Sequence, residues 1–187
     1  LKLDDPATRE AEIAGLLERL RGYLAGVHAA LRRRAAEDAA LAGMGTTVTV
    51  AFSVGGDLFI LHVGDSKAYL LRDGALRKIT HDHTVAQEYA DLGVIPQEDV
   101  AQHRMHHVLT RAVGMPEEDL HGDIHHLGIR SGDRLLMCSD GLTDMVPESA
   151  IVDALRSHAS SQPACRALSD LVLAGGGKDN ITVIVAA

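Results

Sequence analysis

The chain has 187 residues, of which 46% are hydrophobic and 24% charged, proportions typical of a folded domain and not of a disordered segment. With 26 acidic side chains against 18 basic ones the formal charge is −8, which disfavours binding to nucleic acid or to an anionic membrane surface. No apolar run approaches the ~20 residues of a membrane-spanning helix, so we expect no membrane insertion. The length predicts one domain over residues 1–187, and two distant cysteines, Cys138 and Cys165, favour the reducing cytoplasm.

A helix is predicted near the start of the chain. Apolar residues recur at three- and four-residue steps over residues 11–33, which is typical of an amphipathic helix. Pro6 suits its first turn, and the three arginines at 32–34 suit its last turn, where cations face the negative end of the helix dipole. We expect this helix to cover one face of the core.

Strand patterns then replace the helical period. Short β-rich segments bounded by turn residues predict strands at 47–54, 58–63, 67–72 and 75–80. The glycines between the first two segments predict a hairpin, and Asp73-Gly74 predicts a two-residue turn between the last two. We expect these strands to form a meandering antiparallel sheet.

The second half of the chain mixes helices, loops and further strands. A short helix around 85–92 lies in the otherwise irregular stretch 84–115, which we predict to be a flap-like insertion, because such long insertions in compact domains are usually functional. Further strands are predicted at 123–129, 134–138 and 180–185, and helices at 147–158 and 163–174. Strands in adjacent runs with helices grouped around them predict an α+β fold with a mainly antiparallel sheet.

Four aspartates stand where strands end and the backbone turns: Asp65, Asp140, Asp144 and Asp179. A carboxylate at a strand end is held by the rigid sheet and points into open space, as the oxygen ligand of a hard cation must. Each aspartate taken singly is also explained by the preference of this residue for turns. However, apolar segments directly before Asp140 and after Asp179 place both acids beside the same interior, where several carboxylates require a neutralising cation. We therefore predict a divalent metal site.

Six short motifs come one after another along the chain: GTT at 45–47, VGDSKAY at 63–69, THDHT at 80–84, LTRAVG at 109–114, DRLLMCSDGLTD at 133–144 and GKDNITV at 177–183. Over about residues 20–187 their order resembles the metal-dependent protein phosphatases of bacterial type, the protein phosphatase 2C family. The resemblance implies a β-sandwich flanked by helices, with two manganese or magnesium ions at one end. It also implies hydrolysis of phosphoserine and phosphothreonine on proteins by metal-activated water.

The resemblance also implies roles for particular residues. Asp140 and Asp179 resemble the core metal ligands of the family, while Asp65 and Asp144, together with Asp140, resemble the ligands of a third ion that bacterial members hold more weakly. The 84–115 stretch resembles the variable flap that contributes to substrate selection. The implied partners are phosphorylated proteins and the serine/threonine kinases that make them.

The family has an N-terminal Asp-Gly-x-Gly-Gly motif whose aspartate bridges both ions, preceded by an acidic residue and a phosphate-contacting arginine. These have no counterpart among the 187 residues. Because the helix at 11–33 resembles the family segment on the C-terminal side of that motif, we expect the loss to lie upstream, through truncation, through residues left out of the sequence, or through genuine degeneration. Two functions stay open: a serine/threonine phosphatase, or a catalytically inactive phosphatase-like module that senses or scaffolds.

Two other chemistries are disfavoured. The chain has 11 histidines, but the clustered ones lie in predicted loops or strands with no nearby cysteine and no H-E-x-x-H motif, so no zinc site is expected; they are His103, His106, His107, His121, His125 and His126. Cys138 lacks the following arginine of a cysteine-phosphatase loop, and carboxylates beside it would raise the pKa of its thiol. We expect Cys138 to serve core packing.

Overall fold

The computed structural model describes Leu3, residues 7–116 and residues 118–187, and Pro6 of the predicted first helical turn lies outside them. The strands are β1 (Val48–Val54), β2 (Asp57–Val63), β3 (Lys67–Arg72), β4 (Ala75–Lys78), β5 (Asp123–Gly128), β6 (Arg134–Cys138) and β7 (Val183–Ala186). The helices are α1 (Arg9–Glu37), α2 (Val85–Asp91), α3 (Asp140–Thr143), α4 (Glu148–Ser157) and α5 (Ser161–Ala174), with 3-10 turns at Ala39–Leu41 and Gln97–Gln102. None of the described helices is both long enough and apolar enough to cross a membrane.

The strands form two antiparallel sheets, ordered β1-β2-β5 and β4-β3-β6-β7. Both predicted hairpins are present, and the left-handed φ angles of Asp73 (53°) and Gly74 (82°) are those of a tight two-residue turn. The single meander was wrong at one point, because β2 and β3 do not pair. The residues between them carry the chain from one sheet to the other, and this crossing makes the fold a sandwich.

Side chains of β2 alternate between two hydrophobic layers, as the two-residue period of a strand dictates. Leu58 and Ile60 face the second sheet and pack with its Ala68, while Phe59 and Leu61 face α1. All seven residues of β2 are buried because both faces of this strand are covered.

The second sheet is covered on its other face by α4 and α5. Leu136 of β6, Leu155 of α4 and Leu168 of α5 are fully buried in one cluster. Each such leucine contributes roughly 2 kcal/mol through burial of apolar surface. The layers therefore run helix, sheet, sheet, helices, in agreement with the predicted α+β sandwich.

Two local features differ from the sequence-based expectation. The one-turn helix α3 was not predicted, because four residues are too few to show a helical period. Strand β7 begins at Val183, later than predicted, because the Thr182 N–H donates to the Ser139 hydroxyl (3.1 Å) and not to a main-chain carbonyl. The Ser139 N–H still donates to the Thr182 carbonyl (3.1 Å), so the loop before β7 remains joined to the end of β6.

The 84–115 segment leaves and rejoins the sandwich at neighbouring points. The Val85 N–H donates to the Val108 carbonyl and the Thr110 N–H to the His83 carbonyl, both at 2.9 Å. Between these anchors lie α2 and the 3-10 turn at Gln97–Gln102. The segment is thus a loop with closed ends, held beside the point where β2 crosses to β3.

Candidate metal centre

Three of the four predicted aspartates, Asp65, Asp140 and Asp144, line one cavity of about 270 Å³. The strand register brings them together: Lys67 of β3 pairs with Cys138 of β6, so the turn before β3 and the residues after β6 emerge at the same end of the second sheet. The other acidic, basic and imidazole side chains of the lining are Lys67, Lys78, Asp82, His106 and Glu148. Carboxylates therefore dominate the cavity, and two lysines accompany them.

Asp65 lies in the turn that crosses between the sheets. Gly64 has a φ of 109°, and a Cβ there would lie 2.3 Å from Cγ2 of Thr47, so only glycine fits. His83 clamps this turn: the Gly64 N–H donates to His83 Nδ1 (3.1 Å), and the His83 N–H donates to the Gly64 carbonyl (2.8 Å). The backbone of Asp65 is thus held on a rigid support, as a metal ligand requires.

Helix α3 presents two aspartates one turn apart. Asp140 is its first residue, Asp144 follows its last, and the Asp144 N–H donates to the Asp140 carbonyl (2.9 Å). Residues four apart on a helix share a face, so this short turn aims both carboxylates into the same cavity. Oδ1 of Asp140 also accepts a hydrogen bond from the Gly141 N–H (2.8 Å), which orients the carboxylate.

Asp179 lies beside the cavity and outside its lining. Gly141 approaches the Asp179 loop so closely that a Cβ on it would lie 2.4 Å from the Asn180 carbonyl oxygen and 3.7 Å from Cβ of Asp179. The Asp179 carboxylate is exposed and accepts a hydrogen bond from the Asn180 N–H (2.7 Å). The chain therefore brings the Asp140 and Asp179 loops into contact, with Asp179 on the solvent side.

The carboxylates in the cavity oppose one another's ionisation. Burial, and next the negative charge of Asp140, raise the pKa of the Asp65 carboxyl. Lys67 offsets part of this effect, but its ammonium also pairs with Asp82 (3.4 Å), as does that of Lys78 (2.7 Å). A divalent cation among the aspartates would relieve the repulsion, and carboxylate oxygens are the ligands that Mn²⁺ and Mg²⁺ prefer. The donor set fits such an ion.

Comparison with known proteins identifies the fold family. The sequence profile of protein phosphatase 2C matches residues 3–173. This chain belongs to the protein phosphatase 2C family. The assignment confirms the resemblance that the six motifs indicate, and the two-sheet sandwich confirms the predicted fold class.

Several bacterial members of the family are similar to this chain. It is 38% identical over 171 residues to the serine/threonine protein phosphatase PstP of Mycobacterium tuberculosis, which covers 91% of this chain and 33% of that protein. It is 39% identical over 145 residues to the serine/threonine phosphatase stp of Listeria welshimeri, covering 78% of this chain and 57% of that protein. The chain thus spans between a third and somewhat over half of the length of these curated relatives.

A solved structure of the PstP catalytic domain, in complex with two manganese ions, matches with a TM-score of 0.79 and 38% identity over 91% of this chain and 70% of that one. This member of the protein phosphatase 2C family therefore shares its fold with the PstP catalytic domain, and it is the PstP structure that holds two manganese ions.

A hydrogen-bond network around His83, next to the turn that bears Asp65, was not predicted from the sequence. Nε2 of the buried His83 lies 3.2 Å from Asp123, whose other oxygen accepts from Arg111 (3.1 Å). Burial lowers the pKa of His83, and its Nδ1 already accepts from the Gly64 N–H, so the neutral ring carries its proton on Nε2 and donates to Asp123. Hydrogen bonds thus link Arg111 and Asp123 to the turn that bears Asp65.

The lysines of the cavity and Asp82 also escaped prediction as site residues. Lys67 and Asp82 lie within two of the motifs that carry the family resemblance, and Lys78 ends β4. Lys78 and Asp82 are only four residues apart, but no local pattern shows that Lys67 joins them, because its approach to Asp82 depends on the pairing of β3 with β4.

Cys138 ends β6, two residues before Asp140. Burial raises the pKa of its thiol to about 12, so it is protonated near neutrality and unsuited to nucleophilic attack. Its place in the core cluster beneath α4 and α5 agrees with the predicted packing role.

Proposed function

We propose that the protein hydrolyses phosphoserine and phosphothreonine esters of proteins at a manganese or magnesium centre held by Asp65, Asp140, Asp144 and Asp179. The observation that carries this proposal is the convergence of Asp65, Asp140 and Asp144 on one cavity, with the Asp179 loop packed against Gly141. Similarity to serine/threonine phosphatases and to a structure with two manganese ions supports the same reading. Two such ions, with a third in bacterial members, is the number that the resemblance implies.

The side chains of this chain have separate tasks in the proposed reaction. The aspartates hold and orient the cations, while Lys67 and Lys78 balance Asp82 and keep the cavity from being wholly anionic toward an incoming phosphate. When bound, the divalent ions would neutralise phosphate oxygens and lower the pKa of a water molecule to make it a nucleophile. The buried His83 network keeps the Asp65 turn in place during turnover.

Substitution of the proposed ligands in the full-length protein tests the function. We expect Asp140→Ala and Asp179→Ala each to reduce manganese-dependent hydrolysis of a phosphothreonine peptide by roughly 100-fold or more, since even outer-shell residues of metal sites are worth about 10–100-fold. Asp153→Ala, at an exposed aspartate of α4, is the matched control and should retain the wild-type rate. Near-normal turnover by either ligand variant at saturating manganese would refute the assignment. A folded wild-type protein without turnover at any metal concentration would instead support a phosphatase-like sensing or scaffolding module.

We further propose that residues 1–187 form one phosphatase domain and that the 84–115 segment acts as a substrate-selecting flap. Val100, Ala101 and His106 of this segment line the cavity, which supports a role at its entrance. Exchange of the segment for that of a relative should change the ranking of phosphopeptides by kcat/KM while leaving hydrolysis of a small aryl phosphate within about twofold. An unchanged peptide ranking would count against the flap.

Phosphorylated proteins and their kinases are the proposed partners, and two free thiols agree with a reducing cytoplasm.

A further inference from the structure

Two adjacent histidines of the 84–115 segment face Asp144, the residue that follows α3. Nε2 of His106 lies 3.7 Å from Oδ2 of Asp144, and Nδ1 of His107 lies 3.9 Å from the same oxygen. One ligand atom from each of the three side chains falls within 4.8 Å of the others, and the two imidazole rings are in contact, with centroids 3.4 Å apart. The sequence spacing indicated no zinc motif here, because the third residue is distant in sequence.

The hydrogen bonds of His106 determine which of its ring nitrogens carries the proton and which presents a lone pair to Asp144. Nδ1 of His106 lies 2.7 Å from the carbonyl oxygen of His103, which can only accept, so Nδ1 carries the proton. In the neutral ring Nε2 is then an acceptor that faces a carboxylate oxygen, and two acceptors repel unless a cation or a second proton lies between them. A histidine that donates its other N–H to a backbone carbonyl is the usual outer-shell arrangement of a metal ligand.

The distances agree with one shared ion. Two ligands of a tetrahedral ion bound at about 2.1 Å lie about 3.4 Å apart. The distances from Asp144 to the two imidazole nitrogens, 3.7 and 3.9 Å, exceed this by only a few tenths of an ångström. The His107 side chain is 59% exposed, so its ring is free to rotate by this amount and the ion has direct access from solvent.

We propose that His106, His107 and Asp144 bind one transition-metal ion of the Zn²⁺, Ni²⁺ or Co²⁺ class, with the fourth position open to water. Imidazole nitrogens favour these ions over Mg²⁺ and Mn²⁺, which separates the site from the all-carboxylate centre although both use Asp144. Occupancy ties the 84–115 segment to α3 beside the cavity that His106 also lines. The site is argued from geometry and does not rest on phosphatase activity.

Calorimetric titration of the full-length protein with Zn²⁺ tests the proposal. We expect one class of bound Zn²⁺ whose affinity falls about 100-fold or more in His106→Ala/His107→Ala. His121→Ala, which removes an exposed histidine elsewhere, should bind Zn²⁺ like the wild type. Asp65→Ala should also leave Zn²⁺ affinity unchanged while weakening manganese binding, so that this site and the proposed phosphatase centre fail independently. Equal Zn²⁺ affinity in the double variant and the wild type would overturn the proposal.

A second measurement on the wild-type protein removes any dependence on the folding of variants. Zn²⁺ should protect His106 and His107 from carbethoxylation by diethyl pyrocarbonate, read by peptide mass spectrometry, while His121 stays reactive. If each of the three histidines is modified to the same extent in the presence and in the absence of Zn²⁺, no ion binds this pair.

Discussion

A methyl group at Gly141 would separate the two loops that carry Asp140 and Asp179. A Cβ at this position would lie 2.4 Å from the Asn180 carbonyl oxygen and 3.3 Å from its carbon, both main-chain atoms that no side-chain rotation can move aside. The φ angle of Gly141 is outside the left-handed region, so any effect of Gly141→Ala comes from space and not from backbone strain.

We expect Gly141→Ala to reduce both the stability of the protein and its turnover. Ordinary carbon contacts require about 3.5 Å, so the loops must part by roughly 1 Å. Overpacking of this kind destabilises a protein by about 1–3 kcal/mol, which for a chain of this size lowers Tm by roughly 2–12 °C. A displacement of about 1 Å at a catalytic constellation costs on the order of 100-fold in turnover. We expect Gly141→Ala to lose both stability and activity, and to lose activity more severely.

Thermal unfolding followed by circular dichroism measures the loss of stability, and manganese-dependent phosphopeptide hydrolysis measures the loss of activity. Gly26→Ala in α1 is the control, because a Cβ at Gly26 has no neighbour within 4 Å. It should leave turnover unchanged and raise stability by up to about 1 kcal/mol through helix propensity. A Gly141→Ala protein with the Tm and rate of the wild type would show that contact between the two loops is not required for the site.

Three further predictions concern stability. Burial, and then the charge of a neighbouring histidine, lower the pKa of His62 from 6.5 to about 4, so the unfolded chain takes up the proton first as pH falls. The contribution of His62 to the free energy of unfolding should be complete above pH 6.5 and should fall by roughly 3 kcal/mol toward pH 4. A His62→Gln protein whose Tm falls as steeply as that of the wild type over this range would refute this. Asp57→Ala should cost about 2–3 kcal/mol in urea unfolding, because the buried carboxylate accepts 2.6 Å bonds from Arg9 and His126, whereas a loss below about 0.5 kcal/mol, typical of an exposed site, would contradict that role. Gly74→Ala should cost about 1–2 kcal/mol at its left-handed φ of 82°, and an unchanged Tm would argue against the tight turn.

Periodicity and turn chemistry predicted most of the elements of this protein. The helix α1, the β1–β2 hairpin and the turn at Asp73-Gly74 all appear where local patterns indicate them, because side-chain spacing and left-handed turn residues act within a few positions of the chain. The motifs also led to the right family, since they record which residues stand at strand ends. The sequence could therefore place Asp65 and Asp140 at strand ends, and the structure brings both to one cavity, where we propose the metal site.

Which strands pair, and which side chains meet, was decided only by the tertiary structure. The crossing at Gly64 depends on the Thr47 side chain and on His83, neither adjacent to it in sequence, and it divides the meander that local strand patterns predict into two sheets. Likewise α3 is too short to carry a pattern, yet it brings Asp144 both to the cavity and to His106. Contacts between distant residues depend on the packing of whole layers, and a local pattern carries no record of that packing.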